Sequence, residues 1–199
     1  MTLYTPHHFR SRGDDQALRL IREFPFATLI TTVDGAEPHI THIPILIEGV
    51  VLVGHLARAN PHWQAFAQGR TVALFHGPHA YISPRWYADP AANVPTWNYA
   101  VVHVHGRPEM LDAASVPPHI LRVTEHFEQG AWAPAPEKVA RLAPGVVGFR
   151  MRPERIEAKF KMNQNRTRDD RAKVVATLRA SAHAEERAVA DWIVIDDAP

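Results

Sequence analysis

The stretch from Phe26 to Ala57 limits the fold more than any other part of this chain. Phe26–Val33 is a run of apolar and β-branched residues that ends on Asp34-Gly35, a dipeptide suited to a tight turn between antiparallel strands. Glu37–Ile47 and Val50–Ala57 repeat the pattern, with Glu48-Gly49 between them. Three consecutive antiparallel strands are predicted. Further strands are predicted at Thr71–Phe75, at Tyr99–Arg107 and at Val146–Met162, the last with a break at Pro153.

Helices are predicted between and after these strands. Ala17, Leu18, Ile21 and Phe24 recur at three- and four-residue spacing, giving a short amphipathic helix over Asp14–Phe24 with Asp14 or Asp15 as its cap. Asn60-Pro61 supplies a cap and a first-turn proline for a helix ending near Gly69, with Trp63, Phe66 and Ala67 on its apolar side. Ser115 to about Gln129 and Glu137–Leu142 read as two more, and Arg168–Ile195 as one or two. His76–Asn98, with four prolines and the aromatics Tyr81, Trp86, Tyr87 and Trp97, reads as a long functional connection. The expected class is β-dominated α+β: an antiparallel barrel with peripheral helices, in one domain over 1–199 with a helical extension over 167–199.

Composition narrows the chemistry. The 199 residues carry 22 Lys+Arg against 21 Asp+Glu, a formal charge of +1, which argues against nucleic-acid binding by net charge alone. No apolar run approaches the roughly 20 residues that cross a bilayer, and Met1–Arg12 is polar, so a soluble, cytoplasmic protein with no membrane partner is expected. The absence of cysteine excludes disulfides, thiolate nucleophiles and sulfur-ligated metals. There are 13 His. His103 and His105, two apart on a predicted strand, share a face, but no third ligand stands at a readable spacing and no metal is expected. His39 and His42, three apart, point to opposite faces.

Three constellations carry possible chemistry. His55-Leu56-Ala57-Arg58-Ala59-Asn60-Pro61 joins a strand end, a guanidinium and a helix start, which together can hold a phosphate; a plain strand-to-helix turn uses the same residues. The aromatic stretch from Gly77 to Tyr87, continued by Val94–Tyr99, suits either a planar heteroaromatic ligand or an oligomer interface. Lys159-Phe160-Lys161-Met162-Asn163-Gln164-Asn165-Arg166 offers cations and amides to a phosphate or a nucleic-acid backbone, although Asp169 and Asp170 interrupt the charge that follows. No nucleophile elbow, P-loop or dinucleotide fingerprint is present.

Taken together, Met1-x-x-Tyr4-x-Pro6-x-x-Phe9, Gly54–Pro61, Phe75–Pro84, Val94–Tyr99 and Asn163-Gln164-Asn165-Arg166 resemble the PaiB family of FMN-binding negative transcriptional regulators. The likeness runs from Met1 to about Arg179, with Asn163 where the family pattern leads one to expect Ser. It implies the FMN-binding split barrel, with a homodimer that holds FMN in its interface. It further implies flavin phosphate near Arg58 and Asn60, an isoalloxazine edge near His39, Thr41 and His42, and Trp97, Asn98 and Tyr99 reaching the flavin from the partner subunit. His55, Ala57, Gln164 and Arg166 complete the cofactor-binding set that the matching blocks imply. Direct DNA binding has little support in these residues, so regulation through flavin state or a small-molecule ligand is expected. The alternatives are a flavin-dependent oxidoreductase acting on a small molecule, with His79, Tyr81 and His42 as acid–base candidates, and a haem-binding or haem-degrading split barrel.

Overall fold

The structure is a computed structural model that describes residues 3–11 and 13–195. Met1 of the amino-terminal motif, Arg12 of the polar start and residues 196–199 of the predicted extension lie outside the described residues. Among the described residues six strands are formed: β1 (Phe26–Thr32), β2 (His39–Glu48), β3 (Val51–Ala57), β4 (Arg70–Ile82), β5 (Thr96–Met110) and β6 (Val146–Lys161). They close an antiparallel barrel in the order β1-β2-β3-β6-β5-β4, which leaves no open sheet edge among the described residues. Five α-helices accompany it among the described residues: α1 (Asp14–Glu23), α2 (Val116–Glu128), α3 (Pro136–Leu142), α4 (Arg168–Arg179) and α5 (Ala184–Ala190).

Alternation sets the barrel wall. In β1, Ala27, Leu29 and Thr31 are buried while Phe26 and Thr32 are exposed, the period of a half-buried strand. Leu29 pairs with Thr41 of β2 and with Ala73 of β4. β3 pairs with β6 through Leu52 opposite Met151 and Gly54 opposite Phe149. Residue 54 has room only for glycine, because an added Cβ would lie 2.9 Å from the Phe149 ring.

Several expectations are corrected. The Asp34-Gly35 turn forms, with Gly35 at φ 80°, but the ladder ends at Thr31 opposite His39, so the link is longer than two residues and β2 starts two residues late. The predicted helix after Pro61 is a five-residue 3-10 turn, Pro61–Ala65, burying His62 and Ala65, while Ala67 is exposed. β4 does not stop at Phe75, and the predicted irregular connection begins only after Ile82. Pro78 lies past Phe75, the last β4 residue paired with β1, so its missing N–H breaks no bond of that ladder. Gly77 lets the strand run close to its neighbours, since a Cβ there would meet Leu20 Cδ1 at 2.8 Å and Ala100 Cβ at 3.2 Å. β6 likewise runs unbroken through Pro153, which lies beyond Met151, where the pairing with β3 ends.

The chain divides into two compact units, the first made of 1–20, 76–102 and 157–199, the second of 21–75 and 103–156. In the first, α4 buries Val174, Val175 and Leu178, and Trp192 stacks on Phe160 at 5.6 Å. In the second, Phe66 contacts Phe149 edge-to-face at 5.4 Å.

Candidate cofactor site

In the second unit the turn after β3 builds a closed polar network. Asn60 caps the 3-10 helix, its Oδ1 accepting from the His62 N–H at 3.0 Å, and this fixes where His62 enters. His62 Nδ1 lies 2.8 Å from Thr41 Oγ1, and its Nε2 lies 2.8 Å from Thr31 Oγ1. Thr31 Oγ1 in turn meets Thr71 Oγ1 at 2.8 Å, and Asn60 Nδ2 donates to Thr41 Oγ1 at 3.1 Å. The His39 ring stacks on His62 at 5.5 Å. Burial, reinforced by His39, pushes the His62 pKa down to about 4, so at neutral pH one ring nitrogen donates and the other accepts.

Of the residues expected near the flavin, this network joins His39, Thr41 and Asn60. His42 sits on the other face of β2, its Nδ1 3.0 Å from Thr28 Oγ1. His55 Nδ1 lies 3.1 Å from Nε2 of His119, a fully buried residue of α2 whose pKa burial lowers to about 4. Ala57 ends β3, and its carbonyl accepts from the Asn60 N–H at 2.9 Å. Arg58 donates from Nε to the Pro144 carbonyl at 2.6 Å and from Nη2 to the Val146 carbonyl at 3.1 Å. Two of its donors are thus engaged by backbone.

In the first unit, strand alternation splits Trp97-Asn98-Tyr99 between two faces. Trp97 is 53% exposed, with His79 and Tyr81 rings at 6.0 and 6.4 Å. Tyr99 is half-buried. Asn98 is fully buried and neither amide atom has a hydrogen-bond partner. A cavity of about 320 Å³ beside Trp97 is lined by His76, Gly77, His79, Tyr99 and Ala100. Gln164 turns inward, accepting from the Met162 N–H at 2.7 Å and donating to the Phe160 carbonyl. Asn163 has φ 61°, a conformation Asn adopts more readily than Ser, and its Oδ1 accepts from Tyr87 Oη at 3.4 Å. Arg166 donates to Asn93 Oδ1 and its guanidinium carbon lies 4.6 Å from the Tyr87 ring centroid.

Residues 3–155 match the model of the family described as "Putative FMN-binding domain". The chain belongs to that family. It is 31% identical over 200 residues to the protease synthase and sporulation protein PAI 2 of Bacillus subtilis, with 95% of each chain covered, so the resemblance to PaiB holds. Solved structures agree on the barrel. The flavocytochrome Anf3 of Azotobacter vinelandii superimposes with a TM-score of 0.65 at 16% identity, covering 79% of this chain and 72% of that one. A FAD and heme binding protein of Mycobacterium smegmatis gives 0.62 at 16%, covering 76% and 73%.

The protein is therefore an FMN-binding split barrel of the PaiB type. Each unit carries side chains of the kinds that hold a flavin. In the first unit Trp97 and Tyr99 offer aromatic faces on one side of β5, and in the second unit Thr41 and Asn60 sit in a fixed polar network.

Proposed function

We propose that this chain works as a homodimeric flavin sensor, holding FMN at a subunit interface and coupling the state of that flavin to a regulatory output of the PaiB type. The observation that carries this is Trp97. A half-exposed indole grouped with Tyr81 and His79, beside a cavity, is a large apolar surface of the kind that pairs with another molecule.

When bound, FMN supplies one- and two-electron redox chemistry. The chain's residues do the holding. Thr41, oriented by His62 and Asn60, would present its hydroxyl at a fixed position to the polar edge of the ring. His39 would line the same face of β2, and Trp97 and Tyr99 would cover the ring from the partner subunit.

Regulation through the flavin is favoured over direct reading of DNA. α4 and α5 are joined by residues 180–183 without the glycine-bearing tight turn often seen before a recognition helix, and both bury apolar side chains into their own unit. A second reading, a flavin-dependent oxidoreductase, is favoured by the position of His79 and Tyr81 around Trp97, within reach of a substrate lying on that ring.

The test combines mass in solution with the visible spectrum. The protein is expected as a yellow dimer, and Trp97→Asp as a monomer that loses the flavin. A wild-type monomer, or a Trp97→Asp dimer that stays yellow, would overturn the interface reading. Bleaching by NADH or NADPH with turnover of an electron acceptor would move the assignment to the oxidoreductase, and a Soret band on haem titration to a haem protein.

A further inference from the structure

Lys159, Lys161 and Arg166 lie past residue 155, where the family match ends. All three belong to the first unit. Lys159 and Lys161 are two apart on β6 and so share a face, and the charge of Arg166, in the turn after the strand, reaches Lys161.

Their partners are almost all neutral. Lys159 is only 8% exposed. Its Nζ donates to the Tyr4 carbonyl at 3.0 Å and lies 5.4 and 5.3 Å from the Tyr4 and Tyr99 ring centroids. Lys161 Nζ donates to Thr96 Oγ1 and lies 6.0 Å from the Phe9 ring. Arg166 uses an amide oxygen and the ring and hydroxyl of Tyr87. Asp170, the carboxylate whose charge reaches Arg166, accepts the Ala88 N–H at 2.8 Å. Burial lowers the Lys161 pKa, and the charges of Lys159 and Arg166 lower it further.

Gathering partly desolvated cations without a matching set of carboxylates is unfavourable unless an anion neutralises them. An ammonium has three donors and a guanidinium five, so each keeps capacity beyond the bonds above. Aromatic rings beside the ammonium groups add a surface for a planar body joined to that anion. We propose that Lys159, Lys161 and Arg166 form a cradle for a phosphate monoester, carried by FMN or by a separate phosphorylated ligand. The FMN source rests on the flavin reading above. Arg58, the other cation the sequence offers for this task, already has two donors on carbonyl oxygens.

FMN and riboflavin, which differ only in the phosphate, separate the possibilities. Binding of each is measured by fluorescence titration to wild type, Lys161→Met, Arg166→Met and Lys161→Arg, with thermal melts confirming the fold. For an FMN cradle, the two Met variants weaken FMN binding by at least about tenfold, leave riboflavin binding unchanged, and Lys161→Arg retains most of the preference. For a separate ligand, FMN is unaffected, while inorganic phosphate binds the flavin-loaded wild type in calorimetry and not Lys161→Met. Equal FMN-to-riboflavin ratios and equal phosphate binding in wild type and both Met variants would overturn the cradle. If wild type binds neither flavin, the FMN reading fails by itself, and phosphate titration of wild type against the Met variants still decides the cradle.

Discussion

The His62 network of the second unit and the Lys159–Lys161–Arg166 group of the first are both polar and partly buried, yet they spend their polar groups in opposite ways. Around His62, side chain meets side chain: Asn60, Thr41, Thr31 and Thr71 form a chain of hydrogen bonds that closes on itself and carries no net charge. Around Lys161, like charges are gathered and held by a hydroxyl, a carbonyl and aromatic rings. A closed neutral network stiffens a fold, whereas an open, charged one is in deficit until something else arrives. One is framework and the other is receptor.

If that contrast is right, acid should attack the framework first. His62 and His119 are buried with pKa values of about 4, against 6.5 for an ordinary histidine. Between these values the unfolded chain binds more protons than the folded one. Stability is therefore full above pH 6.5 and falls as the pH drops toward 4, by on the order of 3 kcal/mol for each residue. Urea midpoints measured from pH 7.5 to 4.5 should show the decline, and a flat profile would mean that neither ring is held neutral by burial.

His62→Leu tests the framework directly. It removes the partner of two threonine hydroxyls while leaving Thr31 with Thr71 and Thr41 with Asn60, so a loss of about 2 kcal/mol is expected. The ratio of FMN to riboflavin affinity should not move. A changed ratio with unchanged stability would exchange the two roles.

Much of this fold can be read along the chain, because the apolar, β-branched runs and turn dipeptides of β1 to β3 and the three- and four-residue spacing of α1 are local. Pro78 and Pro153 mislead, since a proline ends a strand only where its N–H is needed by a neighbour, and the neighbour is distant in sequence. His62 was missed as a site residue although a local signal exists: it stands two residues after Asn60, where a capping Oδ1 takes the N–H and pins the side chain. The His55–His119 contact spans 64 positions and leaves no local trace. The Lys159–Arg166 stretch is visible as a basic, amide-rich run, but its burial depends on Tyr4 and Tyr99 and cannot be read from the run itself.

Asn98 sharpens the comparison on a smaller scale. Fully buried with neither amide atom paired, it belongs with the unsatisfied groups of the first unit. Asn98→Leu should raise the midpoint of the flavin-free protein by an amount equivalent to about 1 kcal/mol. A loss would place Asn98 with the satisfied framework.

The smallest expected effect is the most telling about the receptor. Lys161→Met keeps an unbranched apolar stem, one atom shorter, and gives up the ammonium's approach to the Phe9 ring, while removing a charge disfavoured by burial and by its neighbours Lys159 and Arg166. Losing the bond to Thr96 offsets part of that relief. The net result should be a gain of roughly 0.5 kcal/mol in the unliganded protein. It should appear as a slightly higher melting temperature at low ionic strength that fades as salt screens the cluster. Ligand binding adds stability in proportion to affinity and concentration, so saturating phosphate ligand should reverse the order, with wild type melting above Lys161→Met. A residue kept for stability would favour wild type under both conditions, and a solvated surface lysine would leave the two proteins alike. Only a cation held ready for an anion makes the sign of the difference depend on whether that anion is present.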